Sequence, residues 1–242
     1  MTADAAALAM TVGCANGWGM WQLYQFPLCP FSRKVRLLMG EKGIAYDLVN
    51  EHPWEQRPGF RDINPAGRTP AMLHAERDLT LSDSVAICEY FEETEPAKPL
   101  FAGSATVRAE IRRLVAWFDT KFYAEVGAPL LQEKMIKRLF YRQTPDATML
   151  RHAMRAANDH MEMIGSLLDH HRWLTGTTIT MADLAAAAHI SVADYLGGVD
   201  WAGHDGVHDW YAAMKSRPSF RPLLDERMGP LLPPPHYGDV NF

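Results

Sequence analysis

Cysteine is scarce in this chain of 242 residues, with thiols only at positions 14, 29 and 88. An odd and unpaired set excludes a disulfide-stapled secreted scaffold and suits a reducing, cytoplasmic compartment. No two of the three have zinc-site spacing. The close histidine pair in "HDGVH", His204 and His208, is split by Gly206, which weakens any helix that would present both rings to one ion. No metal is expected. Long apolar runs are lacking too: nothing approaches the ~20 residues that cross a bilayer, so no membrane insertion is expected. There is no excess of positive charge. The formal net charge of −5 argues against a nucleic-acid partner that needs a basic surface. Lys and Arg are absent from the first nineteen residues, which therefore lack the cationic start of a secretory signal. Residues 1–19 read as a disordered leader ahead of the fold.

What is present is a globular composition, 48% hydrophobic and 22% charged, with enough chain for two ordinary domains. "MWQLYQF" (20–26) reads as a strand stopped by Pro27, and "PFSRKVRLLMGEKG" as a helix with Pro30 at its first position and Gly43 as its stop. "AYDLVN" (45–50), "NPAGRTPAML" and "DLTLSDSVAICEYFEE" (78–93) add strands and a capped helix. The order β-α-β-loop-β-β-α over residues 20–95 makes an α/β unit. A linker rich in Pro and Gly is expected at 96–105. Beyond it strands vanish, and helices are expected over 106–126, about 127–142, 146–170, 181–196 and 206–216. This all-helical unit spans 106–228 and is followed by a Pro-rich tail, 229–242. "TITMAD" carries a capping-box pattern from Thr180 to Asp183.

The stretch "PLCPFSRKVR" (27–36) raises the functional question. A helix N-terminus is electropositive, so Arg33, Lys34 and Arg36 in the opening turns are locally unfavourable there. They serve a thiolate at Cys29, an anionic ligand, or simply solvent. A cysteine at a helix N-cap beside cations favours the thiolate and hence nucleophilic or disulfide-exchange chemistry. Ser32 stands where a resolving cysteine would be, leaving a monothiol mechanism. Asp83 and Ser84 before a helix are either a plain cap or an anion-binding start. Cys88 falls on the apolar side of its helix and reads as core.

"CPFS" after a strand, "NPAGRTP" some forty residues on, "LSDSVAICEYFEE", and a helical half containing "TMADLAAA" together resemble the glutathione transferase superfamily, over about residues 20–225. The resemblance implies a thioredoxin-like first domain, 20–95, with a cis peptide bond at Pro70. It implies a glutathione site in which the backbone of Thr69 pairs with the cysteinyl portion and Asp83 and Ser84 hold the γ-glutamyl end. Arg33 and Arg68 are candidate glutathione contacts, and Cys29, with Ser32, the candidate catalytic pair. The "CPFS" form is similar to omega-like members, whose cysteine suits thiol transfer and deglutathionylation.

The segments "WFDTKFYAEV", "LLQEKMIKR", "ADYLGGVDW" and "WYAAMKSRPSFRPLL", with the tail, resemble a narrower group, the glutathione-transferase-like FtsZ-binding proteins of alphaproteobacterial cell division. This likeness implies a homodimer that binds the FtsZ polymer and alters its assembly rather than turning over an electrophile. The alternative is a glutathione-dependent transferase. Candidate partner contacts are Lys137 and Arg138 in a cationic stripe that also takes in Lys134 and Arg142, and His236, Tyr237, Asp239 and Phe242 behind a stiff polyproline segment. The stripe is otherwise a solvated helix face. Trp54 is a cleft wall, a partner contact or a plug between domains.

Overall fold

The computed structural model describes residues 21–240, so Cys14, the expected leader and Phe242 lie outside the described residues. Strand β1 (Trp21–Gln25) turns its Trp, Leu and Gln at alternate positions fully inward. It pairs in parallel with β2 (Tyr46–Asn50), across the crossover helix α1 (Pro30–Lys42). On its other side β1 pairs antiparallel with β3 (Ala71–His74), which pairs with β4 (Leu79–Ser82), giving the order β2-β1-β3-β4. Helix α2 (Pro58–Ile63) lies in the loop before β3, an element that the sequence did not announce, and α3 (Ser84–Thr94) follows β4. As expected, α1 starts on Pro30 and stops at Gly43, whose φ of +73° places it in the left-handed region that glycine occupies at no steric cost.

The remainder is helical. Helix α4 (Ala105–Ala116) runs on through wide π turns over Trp117–Gly127, one α turn α5 (Ala128–Leu130), and further π turns over Leu131–Phe140. The expected break near 127 does not occur, because Gly127 keeps helical dihedrals (φ −63°, ψ −52°) and Pro129 enters at the start of a turn. Then follow α6 (Ala147–Leu168), α7 (Met181–Tyr195), α8 (Asp205–Lys215) and the short α9 (Arg221–Leu224). The capping box forms: the Asp183 carboxylate accepts from the Thr180 backbone N–H at 2.9 Å, while Asp183 N–H pairs back to Thr180. The stretch at 96–105 is anchored, with Leu100 and Phe101 buried and their N–H groups donating to the Glu92 carboxylate.

Every residue of α7 is buried. Its alanines at 182 and 185–188 allow close approach on all sides, and α1 packs directly against it. Gly40 of α1 has the same role: a Cβ there would sit 2.8 Å from the side chain of Ser219. One apolar core therefore runs from Leu23 and Leu38 through Ile111 and Phe118 to Ile190 and Tyr237. The α/β half and the helical half are fused along α1 and α7.

Candidate functional site

Cys29 caps α1 where the chain turns out of β1: its N–H donates to Phe26 O at 2.9 Å, and its carbonyl accepts from Arg33 N–H at 3.0 Å. The residue is half-buried, and Sγ lies 3.4 Å from the carbonyl oxygen of Thr69. Thr69 and Pro70 are joined by a cis peptide bond, as the resemblance implied. This corner opens into a cleft of about 750 Å³ lined by Cys29, Phe31, Trp54, Arg68, Thr69 and Tyr123 among others. The opposite wall comes from the loosened part of the long helix, through Tyr123, Gln132 and Ile136. Burial pushes the Tyr123 hydroxyl above its usual range, the nearby Cys29 sulfur adds to this, and Arg68 opposes it.

The three cations at the start of α1 do not face this cleft, which corrects the expectation that Arg33 contacts a ligand there. Arg33 is fully buried and does not line the cleft. Its Nε donates to Pro27 O at 2.7 Å, Nη1 to Ser191 Oγ at 2.8 Å and to Tyr237 Oη at 2.9 Å, and Nη2 to Glu226 at 2.9 Å. Arg36 pairs with the other oxygen of Glu226, and Lys34 with Asp119. Their carboxylates come from two other elements, Asp119 on the long helix and Glu226 just after α9. Ser32 is likewise fully buried, and its Oγ has no hydrogen-bond partner among the described residues. It does not line the cleft, so the pairing of Ser32 with Cys29 in catalysis loses its geometric basis.

Asp119 sits at the back of the cleft and joins the halves, holding Lys34 with one oxygen and His189 Nε2 at 3.0 Å with the other. Burial would raise its carboxyl, but the hydrogen bond from His189 and the charge of Lys34 hold it below the usual carboxylate range. Burial also pushes the His189 imidazole down, against the pull of Asp119. Asp83 caps α3, accepting from Val85 N–H at 2.7 Å from a left-handed backbone (φ +70°). Ser84 is buried at the first helical position, and neither residue lines the cleft. The Cys29 and Thr69–Pro70 corner thus opens onto the cleft, whereas the Asp83 carboxylate is engaged in capping α3. Cys88 is core as expected, its thiol pushed up to about 12 by burial.

The candidate partner residues divide. Trp54 is at once a cleft wall and a contact between halves, stacked on His52 at 5.0 Å and packed on Phe140 at 4.5 Å. Arg138 is exposed, whereas Lys137 pairs with Glu133 at 2.7 Å and Lys134 turns inward to the carbonyls of Leu196 and Gly197. In the tail, Tyr237 is fully buried, which removes it from any partner surface. His236 pairs with buried Asp194 at 2.8 Å, and Asp239 lies exposed. Beneath the tail, Lys215 is buried and donates to the His236 carbonyl at 3.1 Å; burial pushes its amine down to about 8, with Asp194 and Asp239 opposing. Sequence reasoning missed Tyr123, Asp119 and Glu226. Only Tyr123 left a signal, as an aromatic beside the Phe118–Phe122 core stripe of the same helix.

Among the described residues no group of three or more His, Cys, Asp or Glu could hold a metal ion, and no helix is long and apolar enough to cross a membrane. Residues 23–99 match the glutathione S-transferase N-terminal domain, and residues 143–213 the glutathione S-transferase C-terminal domain. FtsZ-localized protein A of Caulobacter vibrioides is 44% identical over 91% of this chain and 97% of its own length. The solved structure of FzlA from C. crescentus superimposes with a TM-score of 0.89, at 43% identity over 92% of this chain and all of that one. A glutathione S-transferase from Rhodospirillum rubrum F11 gives the same TM-score at 45% identity, with 92% of this chain and all of that chain covered. The matched domains, the cysteine at the helix cap and the cis-proline corner agree: the chain belongs to the glutathione S-transferase family.

Proposed function

We propose that this protein uses the glutathione transferase fold as a binding module for the FtsZ polymer and regulates the assembly of that polymer without turnover of its own. The observation that carries this reading is the full-length relationship, 44% identity over nearly the whole of both chains, to a protein named for its localisation with FtsZ. The geometry agrees, because the cations that would tune a nucleophile or hold an anionic substrate are engaged in internal ion pairs, leaving Arg68 as the basic side chain at the cleft. The partner surface of this reading is built from Trp54 and Arg138, with Lys137 next in sequence, and from Asp239, exposed near the end of the tail. A cytoplasmic homodimer would offer this surface twice and raise avidity along a filament.

The test is co-sedimentation of the full chain with assembled FtsZ. The chain is expected in the pellet, and Trp54→Ala combined with Arg138→Glu is expected to leave it in the supernatant. A chain that stays in the supernatant beside intact polymer overturns the reading.

A second reading, a glutathione-dependent thiol transferase, is favoured by one feature, the half-exposed Cys29 thiol at a helix cap beside Thr69 and Pro70. In it the Cys29 thiolate displaces one thiolate from oxidised glutathione, forming a mixed disulfide and releasing one reduced glutathione. Calorimetry with glutathione and mass spectrometry after oxidised glutathione test it. Heat of binding and a Cys29 adduct support it, and the absence of both removes it.

A further inference from the structure

Tyr237 sits on the tail, Cys29 on the cleft, and a single fully buried side chain lies between them. Arg33 Nη1 donates to Tyr237 Oη at 2.9 Å, and Tyr237 donates onward to Leu223 O at 3.2 Å. The Nε of the same guanidinium donates to Pro27 O at 2.7 Å, two residues before Cys29. That turn is held in addition by Cys29 N–H to Phe26 O and by Arg33 N–H to Cys29 O. The guanidinium is planar and rigid, so its donors cannot be repositioned one at a time. Around this link the tail is docked by His236 on Asp194, by Lys215 on the His236 carbonyl and by the T-shaped contact of Tyr237 with Tyr195 at 5.1 Å. Because Arg33 is fully buried, losing one of its acceptors leaves a charged donor unsatisfied, and the side chain must shift.

We propose that Tyr237 is a positioning residue for Cys29, acting through Arg33, so that docking of the tail and closure of the β1–α1 turn over the thiol are one linked equilibrium. Whatever displaces the tail loosens the turn at Pro27 and opens Cys29. By reciprocity, whatever crowds Cys29 loosens the tail. This holds whether the cleft serves catalysis or is vestigial, so it stands apart from the proposed function. It also ties the tail to the β1–α1 turn by two hydrogen bonds of one side chain, to Tyr237 and to Pro27, rather than by spatial nearness alone.

The experiment uses the full chain in a Cys14→Ser background, in which Cys29 is the accessible thiol among the described residues and Cys88 is buried. Alkylation of Cys29 by iodoacetamide is timed by mass spectrometry. Tyr237→Phe keeps the ring and removes the hydroxyl, and is expected to speed alkylation about tenfold, the scale of a lost hydrogen bond to a charged group. Ile164→Val, a mild core change in α6 that touches none of the hydrogen bonds of the link, controls for general loosening. An unchanged rate in Tyr237→Phe, or an equal acceleration in Ile164→Val, overturns the proposal. Should Tyr237→Phe fail to fold, the reciprocal arm decides without it. Labelling Cys29 with N-ethylmaleimide is expected to speed hydrogen exchange at the amides of Tyr237 and Asp239, which donate to Pro234 O and His236 O. Unchanged exchange at both overturns it.

Discussion

Helix α1 has two faces with opposite characters. Toward the cleft it presents Cys29, half-buried, with one long contact from Sγ to a carbonyl. Toward the helical half it presents Arg33, Lys34 and Arg36, all buried and all paired with carboxylates that come from far along the chain, Asp119 on the long helix and Glu226 after α9. The charges lie at the helix end where the backbone field opposes them, and they are tolerated because Asp119 and Glu226 supply counter-charge in a low dielectric. The lesson is that basic residues after a helix-capping cysteine need not serve the thiol. Here they fasten the two halves of the fold together, and the site inherits its shape from that fastening.

The difference between the faces can be broken most severely at Glu226, which serves two arginines whose side chains are 0% and 4% exposed. Glu226→Ala leaves both charges without their acid and is expected to cost about 4 kcal/mol, in the range for one-sided removal of a buried ion pair. Urea denaturation at pH 7 measures it. Asp119→Ala strands Lys34 and His189 together and is expected to cost about 3 kcal/mol, whereas the joint change Asp119→Leu with Lys34→Met is expected to recover most of that loss. Recovery to no degree would mean that the carboxylate acts through something other than its cation.

Much of the fold was legible because its signals are local. The strand runs, Pro30 and Gly43 around α1, the Thr180–Asp183 box and the cysteine at the cap depend on a few adjacent residues, and each formed as read. The partners of Arg33 were not legible, since Ser191, Glu226 and Tyr237 lie 158, 193 and 204 residues away and nothing in a short window couples them. The same limit hid Tyr123 and Asp119, whose meaning depends on where the long helix crosses the cleft. It also hid the docking of Tyr237, because a segment of prolines and aromatics without period reads alike whether it is packed or offered to a partner. The continuous run from Ala105 to Phe140 escaped for a different reason. Gly127 and Pro129 are breakers by propensity, and packing overrides propensity here.

Acid sharpens the comparison with smaller effects. His189 and His160 are held below their ordinary value of 6.5, chiefly by burial. The unfolded chain therefore takes up protons that the folded chain refuses, and this part of the stability is present above about pH 6.5 and declines as pH falls below it. Asp119 is held below its ordinary range, so its contribution persists until the pH falls through about 4 and is lost beneath that. A denaturation series from pH 8 to pH 3 is expected to show two declines, and His189→Gln to flatten the upper one while also altering the lower through its bond to Asp119. A single decline near pH 4 in the unsubstituted chain would show that burial does not keep the imidazoles neutral.

The smallest effect is expected on the cleft face itself. Cys29→Ala removes a half-exposed thiol whose hydrogen bond to the Thr69 carbonyl is 3.4 Å long, while the Cys29 backbone bonds to Phe26 and Arg33 remain. The loss is expected to stay below about 1 kcal/mol, because a sulfur donor is weak and the Thr69 carbonyl can turn to water. Under the binding-module reading, co-sedimentation with FtsZ is also expected to be unchanged, since the thiol makes no contact with Trp54 or Arg138 that their placement requires. A Cys29→Ala protein that is strongly destabilised would make the thiol part of the fastening and erase the distinction between the two faces. One that is stable yet no longer meets the polymer would instead move the partner surface into the cleft.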